Sequence, residues 1–141
     1  MHILIYYSKA TRLMKKADLD LLLEESCSWN AVHGLTGILA YIEGTSENHK
    51  EARFMHVLEG AEEELNIVFE KIKCDSRHHQ IVLLKKEHIN TRTFSQCSIK
   101  HEHIDLSANL NLKAFFNLDN QLLQSEAFKG SDAALDFLKS F

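Results

Sequence analysis

Residues 35–60, LTGILAYIEGTSENHKEARFMHVLEG, decide the fold. Leu35–Ile42 is apolar with one glycine inside, which reads as a strand. Gly37 marks a place where something comes close to the backbone. Residues 43–53, EGTSENHKEAR, are charged and turn-rich and read as a long exposed hairpin loop. Phe54–Leu58 then returns as the partner strand.

Outward from this hairpin the pattern repeats. Ile3–Tyr7 is β-branched and aromatic and ends in polar residues, as a buried strand entering a turn does. From Ala17 to Trp29, Leu19, Leu22, Leu23 and Cys27 recur at helical spacing, with Asp18 as the expected cap. Gly34 suits a left-handed C-terminal position. After Gly60 a second helix carries Leu65, Val68, Phe69 and Ile72 on one face and ends near residues 74–79, CDSRHH. Ile81–Leu84 and Phe94–Ile99 read as two short strands. The order β-α-β-β-α-β-β is an α+β, ferredoxin-like plan: a five-stranded mixed sheet with two helices on one face. Residues 2–100 form this domain. Residues 101–141, ending in the helically periodic SDAALDFLKSF, read as a helical extension covering the sheet face that the helices leave bare.

Bulk properties narrow the function. A chain of 141 residues predicts one domain burying about two-thirds of its unfolded surface. The net charge of −4, with dispersed Lys and Arg, gives no basic face for nucleic acid or an anionic membrane. No apolar run approaches a membrane span, and the N-terminus lacks a signal-peptide pattern. Cys27, Cys74 and Cys97 are odd in number and contain no CxxC, which predicts reduced thiols and a cytoplasmic protein. His101 and His103 share a strand face and His78–His79 are adjacent, but no third ligand stands at metal spacing. Nucleophile and phosphate-loop motifs are missing, so catalytic turnover is not expected.

Five segments carry a family resemblance: IYYSKAT (5–11), DLDLLLEESCSWN (18–30), GLTGILAY (34–41), FMHVLEG (54–60) and DSRHH (75–79). In order and spacing they are similar to the BLUF family, blue-light sensors using FAD. The resemblance covers roughly residues 2–100. It implies a flavin, FAD with FMN as the alternative, lying between the two helices. An apolar slot with a few placed polar groups suits such a tricycle.

On the residues alone, Asn30 is a helix C-cap. The resemblance makes its amide a partner for N3–H and C4=O of the ring. Ser26, one turn earlier, resembles a serine near the ring edge. Asp75, Arg77 and His78 match the segment holding the C2=O side and the ribityl chain. Lys71 stands where related domains often carry arginine. Tyr6 matches the photoactive tyrosine, and Tyr7 must face the other way. His56 stands where the family has the glutamine that joins tyrosine to flavin. The family's fifth-strand W-S-M is here Cys97-Ser98-Ile99.

Imidazole holds one donor and one acceptor on a rigid ring and cannot exchange them by an amide flip. The resemblance therefore implies a flavin-binding photoreceptor with an altered photocycle, acting through a separate effector protein or a homo-oligomer. The alternatives are a light-insensitive interaction module with or without flavin, and a ferredoxin-like domain for another ligand.

Overall fold

The structure is a computed structural model and describes residues 1–47, 49–105 and 107. Its elements are β1 (His2–Ala10), α1 (Lys16–Val32), β2 (Thr36–Ser46), β3 (His49–Gly60), α2 (Glu62–Lys73), β4 (His78–His88) and β5 (Cys97–Asp105). The sheet order is β4-β1-β3-β2-β5. The first four strands pair antiparallel and β5 joins β2 in parallel, so the mixed five-stranded sheet is as expected.

Both helices lie on one face. Leu19 and Leu22 of α1 pack on Leu39, Tyr41 and Phe54. Leu65 and Val68 of α2 pack on Leu4, Tyr6 and Leu58. Burying one such aliphatic side chain contributes about 2 kcal/mol. On the opposite face Ile5, Tyr7, Ile42, Met55 and Val57 are also buried. Alternation along β1 thus separates Tyr6 from Tyr7, as the strand period requires.

Helix α1 ends in a Schellman arrangement. The Gly34 and Leu35 amides donate to the Ala31 and Asn30 carbonyls at 3.4 and 2.9 Å, with Gly34 at φ +67°. Asn30 is therefore not the cap residue. It sits in the last turn, and its side chain is free of capping. Asp18 is not the N-cap either. It lies at the third helical position and accepts back from the Lys15 amide at 3.0 Å.

Four expectations change. Residues 43–53 form no long loop: β2 runs to Ser46 and β3 begins at His49, paired from Glu43↔Ala52 to Ser46↔His49. Glu47, His49 and Lys50 are exposed there, and polarity alone does not distinguish a polar ladder from a loop. Strand β4 extends over His78–His88, taking His78 into the sheet. Strand β5 starts at Cys97 and runs through His101 and His103 to Asp105, so residues 101–105 belong to the sheet. The helix expected after them lies outside the described residues. Finally, Cys27 and Cys97 are not reduced but joined, with sulfurs 2.08 Å apart and Cα atoms 5.5 Å apart. Their separation of 70 residues hid the pairing.

The segment before β5 is fastened by a buried carboxylate. Glu59, fully buried, accepts from the Thr93 amide at 2.8 Å and the Phe94 amide at 3.0 Å. Arg92 donates to the Glu59 and Gly34 carbonyls at 2.9 and 2.8 Å. This fixes where the chain re-enters the sheet.

Candidate functional site

A cleft of about 720 Å³, open mouth included, separates α1 from α2 above the middle of the sheet. Helix α1 lines it with Leu22, Glu25, Ser26, Trp29 and Asn30, and α2 with Val68, Lys71 and Ile72, continued by Asp75. Residues 22, 26, 29 and 30 fall at i, i+4, i+7 and i+8, and residues 68, 71, 72 and 75 at i, i+3, i+4 and i+7. Each set is one helical face. The floor is Tyr6, Leu39, Phe54 and His56.

Tyr6 and His56 are cross-strand partners. The tyrosine hydroxyl is 3.0 Å from His56 Nδ1, and the rings meet edge-on with centroids 5.3 Å apart. Burial, with the charge of His78 second, pushes the His56 pKa from 6.5 to about 3. Its imidazole is neutral at physiological pH. Burial, reinforced by Asp75, also holds the Tyr6 phenol far above its ordinary pKa. The pair is therefore uncharged, with one shared hydrogen.

His78 has both ring nitrogens engaged. Nε2 donates to the Ile72 carbonyl at 2.7 Å, and Nδ1 meets Ser8 Oγ at 2.7 Å. The structure brings it to the cleft as wall and brace, with no nitrogen left for a ligand. Arg77 and Asp75, expected as separate ligand groups, are paired with each other. Arg77 Nε lies 2.9 Å from Asp75 Oδ1, and Nη2 lies 2.5 Å from Oδ2. Arg77 Nη1 also donates to Glu25 Oε2 at 3.1 Å, tying the loop after α2 to α1. This pairing holds the Asp75 carboxyl below its usual range and raises Arg77. At the mouth, Lys71 Nζ stands 5.1 Å from the Trp29 ring centroid. The tryptophan ring is also stacked on His33, with centroids 3.7 Å apart.

Asn30 is buried, and its Nδ2 donates to Cys97 Sγ at 3.7 Å. Ser26 lines the same wall. All eight expected residues thus border one cleft. Trp29, Glu25, Leu22, Val68 and Ile72 were not anticipated, although the two helical faces could have been read from their spacing. Among the described residues no group of three His, Cys, Asp or Glu side chains is placed to hold a metal. No described helix is long and apolar enough to cross a membrane.

The apolar walls, the buried Asn30 amide, the His56 imidazole on the floor and the Lys71 cation at the mouth fit a flat heterocycle with a polar edge. This defines a receptor for a planar aromatic ligand on a ferredoxin-like scaffold. A family model, "BLUF: Sensors of blue-light using FAD", matches residues 1–100. The chain belongs to the BLUF family, whose domains bind flavin and sense blue light.

The photoactivated adenylate cyclase subunit beta of Euglena longa is 31% identical over 91 residues, which are 64% of this chain and 10% of that one. The chain thus spans a tenth of that relative's length. The photo-activated state of BlsA is similar at 27% identity and TM-score 0.61, covering 89% of this chain and 97% of that one. The dark state of BlrB, a BLUF protein, shares the fold at 23% identity and TM-score 0.67, over 99% and 96% of the two chains.

Proposed function

We propose that this chain is a flavin-binding blue-light photoreceptor domain whose photocycle is altered by His56, acting through a separate effector protein. The carrying observation is the 3.0 Å contact between Tyr6 Oη and His56 Nδ1 on the cleft floor. A bound flavin supplies blue-light absorption and an acceptor for an electron. FAD is the proposed cofactor, with FMN the alternative; the Lys71 ammonium at the mouth suits a phosphate beyond the ring, and the Asp75 carboxylate suits hydroxyls of the chain that carries it.

The chain's own groups set the rest. Asn30 offers two amide donors and a carbonyl to the polar edge of the ring. Tyr6 donates its hydroxyl hydrogen to Nδ1 of the neutral His56, which puts the remaining ring hydrogen on Nε2. His56 is then a fixed donor towards the ligand. A glutamine at this place could turn end for end. An imidazole can only pass its proton from one nitrogen to the other. Light-driven rearrangement is thereby confined to proton relocation within the Tyr6–His56 pair. The rigid ring also favours a second reading, a light-insensitive module that keeps the cleft.

The protein signals by contact with a partner, in a cytoplasmic setting. A photoactivated adenylate cyclase subunit among its relatives supports coupling to an effector. The test is the absorption spectrum of the purified protein before and after blue light. Bound flavin with a light-induced change smaller or slower to reverse than a glutamine-bearing BLUF domain supports the proposal. A flavin band that does not change at all selects the light-insensitive reading. A colourless protein that cannot be reconstituted with FAD or FMN removes both.

A further inference from the structure

Cys97 opens β5, the strand at one edge of the sheet. Among the described residues a single ladder holds that strand, the parallel one to β2 from Gly37↔Cys97 to Thr45↔Asp105. Parallel pairing is slightly weaker per residue than antiparallel. Apart from that ladder, β5 is attached to α1 in three ways. Ile99 packs against the cluster containing Leu19 and Leu22, and Cys97 is bonded to Cys27. Cys27 lies on the same helix as Ser26, Trp29 and Asn30. The Cys97 sulfur is also the acceptor for the Asn30 amide.

Both bonded cysteines are half-buried, and Ser28, Ser95 and Gln96 beside them are exposed. The bond thus lies beside exposed chain on both its elements. Cys74, at the end of α2, is exposed and takes no part.

We infer that Cys27 and Cys97 form a thiol–disulfide switch that sets both the tether of β5 to α1 and the orientation of the Asn30 amide. The partner is a small dithiol or a dithiol protein. One thiolate of the reductant attacks a sulfur of the pair, the Cys27–Cys97 bond breaks, and a mixed disulfide forms. The reductant's second thiolate then displaces the protein sulfur. Two electrons pass to the protein, both sulfurs take up protons, and the reductant leaves as its own disulfide. Oxidation by a disulfide of the same class reverses every step.

Reduction changes two things at once. It leaves β5 held by its ladder, by Ile99, by the contacts of His103 with Thr45 and Glu43, and by the Glu59 fastening just before the strand. It also turns the Cys97 sulfur from an acceptor into a thiol with a hydrogen of its own, able to donate to the Asn30 carbonyl. The amide is then no longer fixed with its nitrogen towards β5. This second consequence rests on the flavin reading of Asn30, and the first does not. In reducing compartments protein disulfides are characteristically transient and redox-sensing.

The experiment uses the full chain, oxidised and after dithiothreitol. Titration with a thiol reagent should find Cys74 alone reactive before reduction and all three cysteines after it. Amide hydrogen exchange in residues 97–105 should accelerate about tenfold on reduction, with β1 and β3 unchanged. Cys97→Ser should behave as the reduced protein in either condition, and Cys74→Ser should switch as the parent does. If the variant fails to fold, reduction of the parent chain reads the same quantity. The inference is overturned if millimolar dithiothreitol leaves the bond intact in the folded protein, or if β5 exchange is equal in both states. FAD affinity, measured in both states, should differ at least severalfold. Failure to bind flavin in either state removes the flavin reading and leaves the exchange measurement standing.

Discussion

Tyr6 and His56 occupy directly paired positions on β1 and β3, and their polar atoms meet at 3.0 Å between two groups that both resist ionisation. The same histidine faces Leu39 across the β2–β3 ladder. Its ring is therefore held between two strands on the floor of the cleft.

His56→Gln should restore a side chain that can reverse its donor and acceptor ends. The expected outcome is a reversible red shift of the flavin band after blue light, larger than in the parent. Tyr6→Phe in the same background should abolish it. An unchanged spectrum in His56→Gln would place the block elsewhere in the cleft.

The lowered pKa of His56 makes stability depend on pH with a definite sign. Its unfolded form binds a proton below 6.5, whereas the folded form resists until about 3. Between these values the unfolded state holds more protons, so stability rises with pH and levels off above 6.5. The contribution is on the order of 1 kcal/mol per pH unit. Asp75, whose pKa is lowered from 3.8, adds a slope of the same sign only at the acid end. Urea midpoints from pH 5 to 7 should therefore fall towards the acid side in the parent, and clearly less in His56→Gln.

Asn30→Ala removes a buried amide whose backbone continues to serve the helix terminus. Flavin affinity should fall about 10- to 100-fold, equivalent to one or two hydrogen bonds. The melting temperature of the flavin-free protein should change little. Equilibrium dialysis against FAD, set beside thermal unfolding of the flavin-free form, separates the two effects.

Gly37→Ala tests the close approach of β3. A Cβ at this position would stand 1.9 Å from the Val57 carbonyl oxygen. Because the obstacle is backbone, the two strands must part, at about 3 kcal/mol or more. Gly34→Ala meets no atom within 4 Å and suffers only from its positive φ, so it should cost about 1 kcal/mol. Denaturant midpoints should rank parent, Gly34→Ala, Gly37→Ala.

Much of this architecture is legible in the chain because period and punctuation agree. The apolar spacing of Leu19 and Leu22, or of Leu65 and Val68, admits a single face. Gly34 and Gly37 sit where backbone geometry requires glycine. The hairpin of residues 43–53 was obscured because a polar ladder and a loop have the same polarity. The Cys27–Cys97 bond was obscured because contact across 70 residues leaves no local trace. At the cleft, residue type indicated which groups gather, but not how they pair. Arg77 and Asp75 both border the cleft, and only geometry shows that they also pair with each other. His78 borders the cleft as its segment suggests, and only geometry shows Ser8 and Ile72 engaging its ring nitrogens.

Trp29 is the only tryptophan of the chain, and it forms a wall of the cleft. The protein thus contains its own fluorophore at the place where a ligand would enter. Indole emission reports whatever lies against the ring, so filling the slot with a light-absorbing heterocycle should quench it, without any attached label.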